Sequence, residues 1–168
     1  TTSGSYNFSS KENNILDNTN NIKSRIINDF TFDFNDKIFK DIGLRNNLGI
    51  HFKNLNSLGK NDSTYKSSPQ LELQSLLEFK SDLPLIKETE NNNHKLIPKL
   101  SIRLNPSDMK DHSDDERRIN TNNIFDLNRL GIDDSFESGY STTIGVDYNI
   151  KNLDEDQNYL ELKLATVV

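Results

Sequence analysis

The 168-residue chain contains no cysteine, which excludes disulfides, thiolate metal sites and cysteine nucleophiles. It has no run of about 18 apolar residues, so no membrane-spanning helix is expected. Positive charge is in the minority: 20 Lys and Arg face 26 Asp and Glu, a formal net charge of −6. With no basic block or basic–aromatic stripe, that balance argues against a nucleic-acid partner. The seven glycines are scattered and form no phosphate-cradling loop. No G-x-S-x-G nucleophile elbow occurs. The opening TTSGSYNFSS has neither an initiating Met nor the basic and apolar regions of a signal peptide. The sequence therefore reads as an internal piece of a longer chain. Only 32% of residues are hydrophobic, a content that by itself fits disorder or a weak core. The order of the apolar residues argues otherwise.

From Ser24 onward, apolar residues recur with period two. Ile26, Phe30, Phe32 and Phe34 share one face of a strand, with Arg25 and Asp29 on the other. After a short turn at 35–40, Leu44, Leu48, Ile50 and Phe52 oppose Arg45, His51 and Lys53. A polar loop is expected over 54–69, then Leu71, Leu73, Leu77 and Phe79 oppose Glu72, Gln74 and Glu78. An Asn-rich loop at 88–94 precedes Leu96, Pro98, Leu100, Ile102 and Leu104, set against Lys99 and Arg103. A charged loop over 105–123 follows. The last two strands set Tyr140, Ile144, Val146 and Tyr148 against Asp147, and Leu160, Leu162 and Leu164 against Glu161 and Lys163. Residues 11–21 read as loop, with a strand remnant at Tyr6 and Phe8. The expected class is all-β, an antiparallel up-and-down sheet filling residues 1–168 as a single segment.

A soluble sandwich also alternates. Three features favour a segment of a large transmembrane β-barrel. The strands reach roughly 9–11 residues, the length a tilted strand needs to cross a bilayer. Short and long connections alternate. Tyr140 and Tyr148 sit at opposite ends of one face, roughly 20–26 Å apart, where girdle tyrosines belong. The same pair also suits an ordinary edge or core, and the phenylalanine stripe fits a sandwich core as well as lipid. On the barrel reading, Arg25, Asp29, Arg45, Glu72, Lys99, Arg103, Asp147, Glu161 and Lys163 line a hydrated lumen.

Candidate chemistry is sparse. Residues 108–118 (DMKDHSDDERR) place His112 among carboxylates. His51 and His94 lie in unrelated segments, so no metal-ligand spacing results, and the loop reads as solvated. No catalytic group, metal or cofactor is expected.

Residues 122–148, NNIFDLNRLGIDDSFESGYSTTIGVDY, resemble one family. In it an Asn-Arg-Phe-x-Gly-x-Asp-Arg segment is followed by a Gly and a Thr-x-Gly strand: the LptD family of outer-membrane lipopolysaccharide-assembly proteins. The matching positions are Asn128, Arg129, Gly131, Asp133, Gly139 and Gly145. Leu130 and Asp134 depart from the pattern, standing for Phe and Arg, with one residue fewer before Gly131. The resemblance implies part of a barrel wall in the bacterial outer membrane. It also implies lipopolysaccharide as cargo, outer-membrane lipid around the wall, and a plug lipoprotein resembling LptE inside it. Periplasmic lipopolysaccharide-bridge proteins would join through an N-terminal domain that this sequence lacks. The motif residues are expected to shape a loop and its following strand. Gly131 and Gly139 are expected to permit positive φ, and Arg129 to pair with Asp126 or Asp133. A soluble or surface β-sandwich binding module and an unrelated porin-type barrel are the competing classes.

Overall fold

A computed structural model describes residues 4–16, 22–61, 65–108, 119–132, 135–152 and 158–168. The fold is all-β. It contains β1 (Gly4–Leu16), β2 (Ile22–Phe34), β3 (Lys37–Phe39), β4 (Leu44–Lys60), β5 (Gln70–Asp82), β6 (Leu85–Glu88), β7 (Asn92–Asn105), β8 (Gly139–Asn152) and β9 (Asn158–Val167). They form one nine-stranded sheet in the order β1-β2-β4-β5-β7-β8-β9, with β3 on β4 and β6 on β7. Each strand pairs antiparallel with the next, an up-and-down meander, and among the described residues β1 and β9 do not meet.

Several segments expected to be loops are strand. β1 runs through 11–16, and β4 extends to Lys60 where a loop was expected from Asn54. These stretches are rich in Asn and Lys, and propensity alone disfavours a strand there. The ladder to β2 overrides it: Leu16 pairs with Ile22, and Ile22 with Lys60. Similarly, β7 begins at Asn92 inside the expected Asn-rich loop, leaving only 89–91 as the turn, with Thr89 N–H bonding Asn92 O at 2.8 Å.

The turn before β4 closes through Gly43, whose φ of +74° is a conformation an L side chain resists. Its N–H donates to Phe39 O at 2.8 Å. Pro98 falls inside β7, where a missing donor is costly unless its side of the strand is unpaired. The Pro98 carbonyl accepts from Leu83 N at 3.1 Å, so the proline nitrogen faces that same side. There β5 ends at Asp82 and β6 begins only at Leu85, so the gap coincides with the lost donor.

The cross-strand register fixes two faces. One carries the rows Ile50–Leu77–Leu104–Tyr140 and Leu96–Tyr148–Leu162. The other carries Asp29–Lys53–Gln74 and Arg45–Asp82–Lys99–Gly145–Ala165. Burial is inverted between them. On the apolar face Leu73 is 73% exposed, Leu164 57% and Ile144 54%, whereas on the polar face Lys53 is 5% and Thr143 0% exposed. The core lies over the polar face: Ile27 and Leu55 are closed off by Tyr65 from the connection after β4, and Leu76 is fully buried nearby.

Candidate functional site

Within the connection from β7 to β8, residues 119–132 and 135–137 lie across the polar face. Its turns are built by asparagines, whose side chains stand in for backbone acceptors. Asn120 Oδ1 accepts from Asn122 N–H at 2.9 Å, and Asn123 Oδ1 accepts from Asn120 N–H at 2.7 Å. Further on, Asn128 Oδ1 takes the Ile132 N–H at 2.8 Å and Asn128 O takes the Gly131 N–H at 3.0 Å. Gly131 closes that turn at φ +64°, a left-handed conformation that glycine adopts without steric cost. Gly139 lies at φ +83° where β8 begins.

This turn aims Arg129 at β8. Its Nε and Nη2 donate to the two oxygens of Glu137 at 2.6 and 2.7 Å, a bidentate fork. Nη1 donates to Thr143 Oγ1 at 3.0 Å and Nη2 to Ser141 Oγ at 2.9 Å. The side chain is 1% exposed and that of Glu137 28%. A carboxylate partner of Arg129 is thus Glu137, eight residues on, which sequence reading had not named. Asp126 is exposed, and Asp133 lies outside the described residues.

Around this anchor the segment is sewn to three strands. Arg103 of β7 donates through Nη2 to Leu127 O at 2.5 Å. Asn105, 1% exposed, donates to Phe136 O and Glu137 O at 3.3 and 3.1 Å. Gln74 Oε1 of β5 accepts from Phe136 N–H at 2.7 Å. The Phe136 ring then covers His51, 6.4 Å between centroids, and Lys53, whose ammonium lies 5.1 Å from the ring centre. Lys53 also pairs with Asp29 at 2.6 Å. Arg103 sits beside Glu78 at 3.7 Å and Glu137 at 3.9 Å, and Lys80 reaches Glu78 at 2.8 Å. The buried charges are therefore compensated within one network.

Gly145 makes room for this cover. A Cβ there would meet Phe125 Cε2 and Cζ at 2.9 Å and Ala165 Cβ at 3.0 Å. Lys99 lies over the same ring at 5.6 Å. Gly145→Val is expected to displace Phe125 and cost about 1–3 kcal/mol. Phe125→Ala in the same chain should recover most of it, read as the shift in urea midpoint.

All nine charged residues assigned from sequence to one face do share it, but their surroundings differ. Arg103 is buried, Glu161 is exposed, and Arg25, Asp29, Arg45, Glu72, Lys99, Asp147 and Lys163 are half-buried. Arg45 pairs with Asp82, Lys99 with Asp147, and Lys163 with Glu161 at 2.9 Å. Arg25 donates to Tyr65 Oη at 3.3 Å. Over β4, β5 and β7 this face is no open hydrated surface, because Tyr65, Phe136 and residues 124–132 cover it. Lys99→Glu, which sets a third carboxylate beside Asp82 and Asp147, is expected to cost about 1–2 kcal/mol by urea midpoint, the partly solvated pair lost plus a repulsion of similar size.

No protein-family model matches the chain, nor does any curated protein or solved structure. No group of three or more metal-ligating side chains occurs among the described residues, and 109–118, with His112, lies outside them. The network holds the segment against the sheet. Sequence reading missed Glu137, Phe125, Phe136 and Tyr65 as parts of this cover. One signal was present: Ser141, Thr143 and Gly145 put three small residues in succession on the polar side of β8, the footprint of something packed against it.

Proposed function

We propose that this chain is part of the wall of a bacterial outer-membrane β-barrel, with its apolar face against lipid and residues 119–137 folded into the barrel. The observation that carries the reading is the inverted burial of the sheet. A water-soluble sheet hides its apolar face and wets its polar one. Here Leu71, Leu73, Ile102, Leu104, Ile144 and Leu164 are 43–73% exposed, all on the same face of β5, β7, β8 and β9. A contiguous apolar surface of that extent marks a membrane or partner contact. Full burial of a Leu or Ile is worth roughly 1.5–3 kcal/mol, and about half of that remains to be gained at this exposure. Strands of 13, 17, 13, 14 and 14 residues in β2, β4, β5, β7 and β8 exceed the 9–11 or so needed to cross a bilayer. A soluble sandwich would bury the same face under a second sheet, and the described strands all belong to one sheet.

The resemblance at Asn128–Arg129 and Gly131 extends the proposal to a translocon that assembles lipopolysaccharide into the outer leaflet, with a plug lipoprotein within it and periplasmic bridge proteins feeding it. That Asn128 and Gly131 form a turn and Arg129 fastens it to β8 supports a shaping role for the motif. The test is fractionation of the protein expressed from its own locus. Outer-membrane recovery with heat-modifiable migration is expected, together with co-purifying lipopolysaccharide and a lipoprotein. Recovery as a soluble monomer would sink the barrel reading. Membrane recovery without lipopolysaccharide would leave a barrel of another kind.

A further inference from the structure

On the apolar face, near the 89–91 turn, the β6–β7 hairpin and β8 form an open groove of about 440 Å³ lined by Leu85, Ile86, Lys87, His94, Leu96 and Tyr148. The register orders its contents. Leu85, Leu96, Tyr148 and Leu162 form one row; Lys87, His94, Ile150 and Leu160 form the next row toward the turn. Two basic side chains thus stand immediately outside an apolar row, as neighbours about 5 Å apart at Cβ. His94 Nδ1 lies 2.9 Å from Tyr148 Oη, with the rings stacked at 6.3 Å and 24°. When the hydroxyl donates to Nδ1, the neutral imidazole carries its proton on Nε2, a donor available to a ligand. Glu88, in register with Asn93, belongs to the opposite face.

We propose that this groove binds the phosphate-bearing headgroup of an anionic phospholipid, with Lys87 and His94 on the phosphate and the acyl chains along Leu85, Leu96 and Leu162. Charge complementarity and continuity with the exposed apolar face select this occupant. The inference rests on the barrel reading, in which this face meets lipid and short turns lie on the periplasmic side.

The experiment is native mass spectrometry of the full protein released from membranes in detergent, titrated with phosphatidylglycerol or phosphatidylcholine. Wild type should retain phosphatidylglycerol in preference to phosphatidylcholine. Lys87→Ala with His94→Ala should weaken phosphatidylglycerol about tenfold, the factor carried by a lost charge-assisted hydrogen bond, and weaken phosphatidylcholine, whose phosphate is offset by its own choline cation, by a smaller factor. Tyr148→Phe, which removes only the hydroxyl holding His94, should fall between. Equal retention by a double variant that is still heat-modifiable overturns the site and leaves the barrel standing. A protein absent from membranes overturns both. Displacement of phosphatidylglycerol by equimolar inorganic phosphate assigns the site to a free anion and overturns the lipid proposal.

Discussion

Arg129→Ala is expected to destabilise the protein by about 3 kcal/mol or more and to free residues 119–137 from the sheet. Removing one member of a buried ion pair costs about 3–5 kcal/mol, because the remaining charge stays desolvated. Glu137, at 28% exposure, moderates that toward the lower figure, and Arg103 at 3.9 Å is too distant to replace a fork. Ser141 and Thr143 lose a donor as well. Arg129→Lys should recover only part of the loss, since an ammonium has no planar pair of donors for the carboxylate. Arg129→Met with Glu137→Leu should be milder than Arg129→Ala alone, because no unpaired charge is left. Urea midpoints in detergent report the energies, and chymotryptic cleavage at Phe125 and Phe136 reports the release. An Arg129→Ala protein with an unchanged midpoint and intact protection would show that the fork anchors nothing.

That anchor also marks the limit of what the sequence made legible. Strand faces were readable because period two survives in β2, β5, β7, β8 and β9 whatever the environment, and each charged residue assigned to one face lies on it. The extent of the strands was not. Asn54 and Asn56 look like loop residues, yet Asn54 Oδ1 accepts from Asn28 Nδ2 of β2 at 3.1 Å and from Asn56 Nδ2 at 2.8 Å. A side-chain ladder across β2 and β4 thus keeps a polar stretch extended, and only the neighbouring strand reveals it. Arg129's partner was hidden for a similar reason. Asp126 is closer in sequence than Glu137, but the Gly131 turn and the chain reversal into β8 decide which carboxylate faces the guanidinium. The cover over the charged face was not legible, because such a strand face looks alike in sequence whether water or a folded-back segment covers it. Gly145 was the clue, since a glycine between Ile144 and Val146 weakens a strand unless something must approach closely.

Ile144→Arg is the substitution that discriminates most sharply between environments for the apolar face. Ile144 lies four residues from both Tyr140 and Tyr148, in register with Leu100 and Thr166, at the middle of the band that the two tyrosines delimit. On a lipid-facing strand an arginine at the midplane costs about 2–4 kcal/mol, enough to lower the heat-modifiable fraction and the urea midpoint in vesicles. Asn149→Arg, on the opposite face of the same strand and half-buried beside Lys95 and Glu161, is expected to stay within about 0.5 kcal/mol of wild type. If water covered the apolar face, Ile144 at 54% exposure would accept arginine as readily as Asn149 does. If a second protein sheet covered it, both a lipid and a protein core would reject the charge, so Ile144→Trp separates those two. The chain has no tryptophan of its own, and an indole at 144 should be quenched by brominated lipid, whereas one at 149 should not. Quenching at 144 with tolerance at 149 would place the boundary between lipid and interior within a single strand, between residues five apart in sequence.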